Sequence, residues 1–343
     1  MEINNFDKQK SNVVKGAAIL LLLFHHLFYD NSRLIDNGIN IVFYNKLYHV
    51  VNMSRICVWI FVFISAYGLT VKYAKYSVNN DNGKFILQSW LKLMGQWWII
   101  FILKIVITEL FVSNIFSYYR YDPLKFFLDL MEWNDFFGIE RILGNWYMCF
   151  AQLLILFIPI LNWAIRKFGI SFIIVFFVMM QYMSGGITSN GGGEYIIYIP
   201  VALIGVWFAQ DSNRIEMLIK MPLSKCMKIL DAGGTLVITG ITLWLKWKYN
   251  VMYMGSLYVV IATISIVAFC IKYLKALHKP LEFLGRHSAA MFLIHVYLLT
   301  EFSSIVYFTG NAILSYIILI VLSLLFAFLV EVIKCCIKLF NNM

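Results

Sequence analysis

The feature that most constrains this chain is a series of long apolar stretches separated by short polar segments. About 20 consecutive apolar residues are needed to cross the hydrocarbon core of a bilayer. Ten stretches approach this length, at 13–31, 50–74, 86–112, 142–165, 168–184, 194–211, 229–248, 251–273, 288–309 and 312–338. The sequence therefore predicts an all-α, polytopic integral membrane protein with about ten transmembrane helices.

The composition supports this class, because 61% of the residues are hydrophobic and only 13% are charged, far from the average of soluble proteins. We expect residues 1–343 to form a single transmembrane domain without an appended soluble domain. The segment at about 113–141 is too polar to span. Its apolar residues recur at helical spacing beside acidic ones, which predicts an amphipathic helix in the external interface.

The positive charges fall on alternate sides of the predicted spans, in segments 8–10, 72–84, 166–167, 214–228, 272–279 and 334–338. Lysine and arginine concentrate in cytoplasmic loops of membrane proteins. We therefore expect both termini to be cytoplasmic, in a multi-pass protein of the plasma membrane. The same loop bias accounts for the net charge of +10, so the sequence gives no indication of nucleic-acid binding.

Two polar residues in the first span, Lys15 and His26, are eleven positions apart. In an α-helix this spacing places both on one face, roughly 16 Å apart along the axis. An imidazole can act as a general base near neutral pH, and a cation at the inner end can hold an anionic ligand. Two other interpretations stay open: Lys15 can simply extend to the membrane surface, and His26 can be a core residue bonded to a carbonyl. His25 lies about 80° off the Lys15 face and is the weaker candidate.

Three motifs resemble those of the acyltransferase family 3 membrane proteins. Span one has Lys15-Gly16, aliphatic residues and then His26, and the family has Arg or Lys with His eleven positions later. Residues 58–68 resemble the aromatic-rich second span, with Ala66 in place of the usual Gly. Residues 283–295, which begin Phe-Leu-Gly-Arg-His-Ser and end in His295, resemble the ninth span. With ten predicted spans, the resemblance covers essentially the whole chain.

Span three departs from the family pattern of Arg-x-x-Arg followed by aromatic residues. Lys92 stands at the second basic position, whereas Ser89 replaces the first. Lysine is a point charge and serine carries none, so neither reproduces a bidentate arginine contact.

The resemblance implies transfer of an acyl group, usually acetyl, from cytoplasmic acyl-CoA to a hydroxyl of a cell-surface or lipid-linked glycan. Acetyl-CoA would then be the donor substrate, with no tightly bound cofactor. Lys15 and Lys92 would hold the CoA phosphates. His26 would either deprotonate the acceptor hydroxyl or carry the acyl group covalently. The roughly 16 Å between Lys15 and His26 is of the order of the length of the pantetheine arm.

Three further residues are candidates for the acceptor site. Ser288 and His295 are seven positions apart on one predicted helix face, and Arg55 lies near the start of the second span and faces the external side. Ser288 can instead cap a helix that starts after Arg286, and Arg55 can be a plain interfacial anchor. We predict no metal site, because no group of His, Cys and Asp has the spacing of metal ligands.

Two other functions remain open from the sequence. A transporter or exporter of a glycan or small molecule would also have many helical spans, glycine breaks such as those around 185–193, and a few buried charges. A non-catalytic assembly factor would keep the fold without binding acyl-CoA. The two halves of the chain show no internal sequence symmetry, which modestly favours the enzyme.

Overall fold

The computed structural model describes residues 6–183, 195–220, 222, 224–249 and 254–341. These residues form α-helices, with two short 3₁₀ helices at Ile196–Tyr198 and Lys275–Leu277, and no strand occurs among them. The predicted all-α class is confirmed. The helices are α1 (Lys8–Phe28), α2 (Asn31–Asp36), α3 (Tyr44–Met53), α4 (Ile56–Ser77), α5 (Asn82–Phe111), α6 (Ile115–Tyr118), α7 (Pro123–Met131), α8 (Asn134–Phe137), α9 (Trp146–Phe168), α10 (Ile170–Met183), α11 (Ile199–Ala209), α12 (Ser212–Ile219), α13 (Lys225–Tyr249), α14 (Met254–Tyr273), α15 (His278–Glu301), α16 (Ser303–Val306) and α17 (Ala312–Asn341).

Six helical segments of the described chain are long and apolar enough to cross a membrane, which confirms a polytopic membrane protein. They are Lys8–Phe28, Tyr44–Ser77, Asn82–Phe111, Trp146–Phe168, Lys225–Leu245 and Ala312–Ile337. The pair Leu257–Tyr273 and Lys275–Glu301 adds a seventh if it is one span bent by 79°. The predicted count of ten is not confirmed, because α10 and α11 are short. The predicted glycine breaks around 185–193 lie outside the described residues.

The chain divides into two compact units. The first contains Met1–Ala18, Arg55–Ile86 and Leu154–Arg286, and the second contains Ile19–Ser54, Leu87–Leu153 and His287–Met343. Helices α1 and α15 each contribute to both units. The prediction of one transmembrane domain over the whole chain stays a prediction.

In the first unit, two glycines allow α1 and α15 to pack backbone against backbone. A methyl group at Gly16 would overlap the carbonyl oxygen of Leu281, and one at Gly285 would overlap that of Asn12. Small residues let helices approach this closely in membrane proteins. The glycines of the Lys15-Gly16 motif and of the ninth-span motif therefore have a structural explanation in this helix contact.

In the second unit, the segment after α5 folds into the three short helices α6, α7 and α8. The Asp122 side chain accepts hydrogen bonds from the first backbone N–H groups of α7, as expected of an N-cap. Glu132 ends α7 in the left-handed conformation, at φ 56°. The segment is helical over Pro123–Met131 but is divided into three short helices, and its predicted position in the external interface stays a prediction.

Buried polar groups attach this segment to α5. The Lys104 ammonium donates to the carbonyl oxygen of Leu143 at 2.9 Å. The Asp129 carboxylate accepts the Leu143 N–H at 2.7 Å, and both oxygens of Glu132 accept the Asn145 N–H at 2.8 and 2.9 Å. Because such groups are costly to bury without partners, this network fixes the segment that precedes α9.

The two carboxyls of this network should make stability depend on pH. Burial raises the pKa of Glu132 well above its ordinary value, and burial likewise raises that of Asp129. The folded state then holds protons that the unfolded state has released, so stability falls as pH rises through the folded-state pKa values. We expect the apparent Tm of the detergent-solubilised protein to fall as the pH rises above about 4, the ordinary carboxyl pKa, and to fall less in Glu132→Gln.

Glu140→Gln is the matched control, because Glu140 is an exposed residue of the same segment. It should keep the wild-type dependence of Tm on pH. If Tm depends on pH in the same way in Glu132→Gln and in the wild-type protein, the Glu132 carboxyl does not cause this dependence.

Candidate active site

Three histidines from α1 and α15 meet in the second unit. The ring centroid of His26 lies 4.7 Å from that of His295 and 5.0 Å from that of His25. The sequence predicted His26 and His295 as site residues, but not that they are adjacent. Because the two lie in different predicted spans, their meeting required the tertiary structure.

His25 is buried and packs against α3. Its Nδ1 lies 2.8 Å from the carbonyl oxygen of Val51, to which a protonated Nδ1 donates. A buried imidazole held by a backbone carbonyl is the arrangement expected of a packing residue. His25 is not among the residues that line the cavity described below.

His295 is more deeply buried, with 1% of its surface exposed. Its Nδ1 lies 2.6 Å from the carbonyl oxygen of Phe292, which can only accept a hydrogen bond. Nδ1 therefore carries the proton, and Nε2 of the neutral ring carries a lone pair. This Nε2 has no hydrogen-bond partner in the part of the chain that the structure describes.

His26 is half-buried and lines a cavity of about 570 Å³. This volume lies in the range of small-molecule binding sites. The other lining residues come from the end of α1, from α2 and from α3: Tyr29, Asp30, Asn31, Ser32, Arg33, Tyr44 and Tyr48. The imidazole of His26 is thus placed beside a space that can hold a ligand.

One side of the cavity carries an ordered pair of charges. Asp30 caps α2 and accepts hydrogen bonds from the Ser32 hydroxyl at 2.6 Å and the Arg33 N–H at 3.2 Å. These bonds, the Ser32 hydroxyl first, lower the pKa of Asp30, so that it is a carboxylate at neutral pH. The Arg33 guanidinium lies 3.6 Å from it, and both side chains are partly exposed. Each can still bind a ligand group.

The other side of the cavity is aromatic. The ring centroid of Tyr48 lies 5.9 Å from that of Tyr29 and 6.1 Å from that of Tyr44. The Tyr44 hydroxyl lies 2.9 Å from the carbonyl oxygen of Phe28 and 2.8 Å from that of Tyr29, so it is tied to the end of α1. The three phenol rings give the cavity an apolar surface, and backbone contacts hold the Tyr44 ring in position.

Ser288 and His295 do not line this cavity. Both are buried side chains of α15. The alternative that Ser288 caps a helix starting after Arg286 is wrong, because α15 begins at His278 and continues through this position. The proline at 280 lies in the first turn of α15, where its missing N–H costs no helical hydrogen bond.

The predicted basic residues are distributed over both units. Lys15 is half-buried in α1, and Arg55 is exposed directly before α4; both belong to the first unit. Lys92 is exposed on α5 in the second unit, and the neighbouring Ser89 is buried. The exposed ammonium of Lys92 is available to an anionic ligand.

The sequence reasoning missed the residues that form the walls of the cavity. The run Asp30-Asn31-Ser32-Arg33 directly after His26 has the pattern of a helix N-cap. Tyr44 and Tyr48 are four positions apart, which places them on one face of a helix. Both signals were present, but nothing in the sequence shows that α2 and α3 fold back beside the end of α1.

The sequence matches the acyltransferase 3 family, described as an acyltransferase domain, over residues 9–332. The chain belongs to this family. It is a membrane acyltransferase, and this decides between the enzyme and the transporter considered from the sequence. No curated protein and no solved structure matches the chain.

Proposed function

We propose that this protein is an O-acyltransferase of the plasma membrane that moves an acyl group from cytoplasmic acyl-CoA to a hydroxyl of a cell-surface or lipid-linked glycan. Acetyl-CoA is the donor we expect. The observation that carries the proposal is the position of His26, a half-buried imidazole in the wall of a cavity with both aromatic and charged surfaces.

The chemistry assigned to His26 is general base catalysis. A ring nitrogen removes the proton of the acceptor hydroxyl, and the resulting oxygen nucleophile attacks the thioester carbonyl carbon. The carbon–sulfur bond breaks, and the leaving CoA sulfur receives the proton from the imidazolium. The covalent alternative, in which His26 first carries the acyl group, uses the same nitrogen as nucleophile.

The walls of the cavity favour a saccharide as the acceptor. A sugar ring has an apolar face that packs on aromatic rings, and Tyr29 and Tyr48 offer such surfaces. Its hydroxyls donate to carboxylates and accept from guanidinium groups, which Asp30 and Arg33 supply. The earlier assignments of Ser288, His295 and Arg55 to acceptor binding remain predictions.

Donor binding is assigned to the two lysines that the family resemblance selects. Lys15 precedes His26 by eleven residues on α1, and Lys92 is exposed on α5. Ammonium groups form charge-assisted hydrogen bonds with phosphate oxygens. The lipid bilayer, acyl-CoA and the glycan are then the partners of the protein, and both termini lie on the cytoplasmic side, where the donor is made.

Replacement of the base tests the proposal directly. His26→Ala should lower acyl transfer by at least about 100-fold, since general acid–base catalysis contributes this much or more. The assay uses membranes with radiolabelled acetyl-CoA and surface polysaccharide extracted from a strain that lacks the gene. His278→Ala is the control, because His278 is a half-buried histidine of the first unit. Full O-acetylation of the polysaccharide by His26→Ala, measured by NMR, would refute the role of His26.

The aromatic wall gives a separate prediction. Tyr48→Ala removes a stacking surface worth on the order of 1 kcal/mol, so the KM for the polysaccharide should rise about 3- to 10-fold. The KM for acetyl-CoA should not change. Tyr121→Ala is the matched control, because Tyr121 is an exposed tyrosine that does not line the cavity. Equal acceptor KM values for Tyr48→Ala and the wild-type enzyme would show that the acceptor binds elsewhere.

The donor assignment predicts the opposite pattern. Lys15→Gln and Lys92→Gln should each raise the KM for acetyl-CoA about 3- to 10-fold through the loss of a charge-assisted hydrogen bond, while the KM for the polysaccharide stays the same. Lys84→Gln serves as the control, because Lys84 is exposed on α5 two turns before Lys92. If all three variants keep the wild-type donor KM, the lysines do not bind CoA.

A further inference from the structure

We propose that His295 is a positioning residue for His26: its Nε2 accepts a hydrogen bond from the His26 ring and so presents the opposite His26 nitrogen to the acceptor hydroxyl. This inference rests on the proposed function, since it concerns how the base of that reaction is oriented. It assigns His295 a role behind His26 rather than in the wall of the acceptor site.

The first observation is the state of the His295 ring. Its Nδ1–H is committed to the Phe292 carbonyl at 2.6 Å, which fixes the tautomer and leaves Nε2 as an acceptor. Only 1% of His295 is exposed, and no group in the described chain donates to Nε2. A buried acceptor without a partner is unfavourable. Its presence here indicates that a ligand or a movable side chain donates a hydrogen bond to it.

The second observation is the position of the ring relative to possible donors. The ring of His26 is 4.7 Å away, centroid to centroid, with 57° between the planes. Phe292, at 5.8 Å, also faces the ring but has no polar side-chain group. His26 is half-buried and borders the open cavity. Of these two rings, only His26 has a nitrogen that can donate to Nε2.

The arrangement solves a requirement of general base catalysis. A neutral imidazole has one N–H and one lone pair, and only the lone pair can take the acceptor proton. A group that accepts from the N–H therefore selects which nitrogen faces the substrate, as the carboxylate does in a hydrolase triad. Here the sequence of hydrogen bonds would run from His26 to His295 and end at the Phe292 carbonyl. No proton is transferred beyond His26.

Two polar substitutions separate this role from a packing role. A glutamine at 295 carries its amide at the position of Nε2 and can accept from His26. An asparagine carries its amide at the position of Nδ1, so it keeps the bond to the Phe292 carbonyl but cannot reach His26. If His295 orients His26, the order of activity is wild type, then His295→Gln, then His295→Asn. If it only anchors the helix through Phe292, His295→Asn is the more active variant.

The experiment measures kcat and KM for both variants in membranes with radiolabelled acetyl-CoA and the extracted polysaccharide. We expect His295→Gln to keep kcat within about 3-fold of the wild type, and His295→Asn to lose at least about 10-fold, a part of the full contribution of a general base. Neither variant should change the KM for the polysaccharide by more than about 2-fold, because His295 does not line the cavity.

The inference is overturned by equal kcat values for both variants, by the reverse order, or by a loss confined to the acceptor KM. Solubilised protein levels and apparent Tm of both variants are compared with the wild type, and a folded His295→Gln with lost kcat also counts against the role. The proposed function fails in a different way, since it requires that the wild-type protein transfer acetyl groups and that His26→Ala not do so.

Discussion

In an apolar environment, the buried polar side chains of a protein must find their hydrogen-bond partners within the protein itself. In the second unit, backbone carbonyl oxygens supply many of these partners. Lys104 donates to the carbonyl of Leu143, His25 lies against that of Val51, and His295 against that of Phe292. Leu143 lies outside the helices and Val51 lies in the last turn of α3, whereas Phe292 lies within α15. Because an unpaired polar group is costly in such an environment, these contacts fix both the side chain and the segment that supplies the carbonyl.

The same demand makes the exceptions informative. A general base needs a nitrogen lone pair that accepts no hydrogen bond from the protein itself. A fold in which every polar group has an internal hydrogen-bond partner therefore contains no such base. His26 lies partly buried at the edge of the cavity, where its ring can contact a ligand. His295 keeps an unconsumed nitrogen in the interior, beside His26. Among the described residues, the unpartnered Nε2 of His295 beside the cavity-lining His26 locates the candidate site more sharply than composition does.

The sequence predicted those features that are encoded locally. Apolar stretches long enough to span a membrane gave the helical class, and the spacing of Lys15 and His26 placed both on α1. The number of spans could not be obtained in the same way, because α10 and α11 are apolar but short, and α14 and α15 meet at a bend. The cavity could not be predicted from local sequence patterns either. Its walls come from α2 and α3, short helices whose return towards His26 depends on contacts such as that of Tyr44 with the end of α1.

A family motif combines residues that are needed for packing with residues that react, and the structure separates the two. Gly16 and Gly285 stand at points where α1 and α15 leave no room for a side chain, so their presence follows from the helix contact and says nothing about chemistry. His26 and His295 lie on the same two helices, yet side-chain packing alone does not require an imidazole at either position. In the part of the chain that the structure describes, the buried Nε2 of His295 has no hydrogen-bond partner, which makes this imidazole a poor packing residue. The histidines, and not the glycines, are therefore the residues of these motifs from which a reaction can be argued.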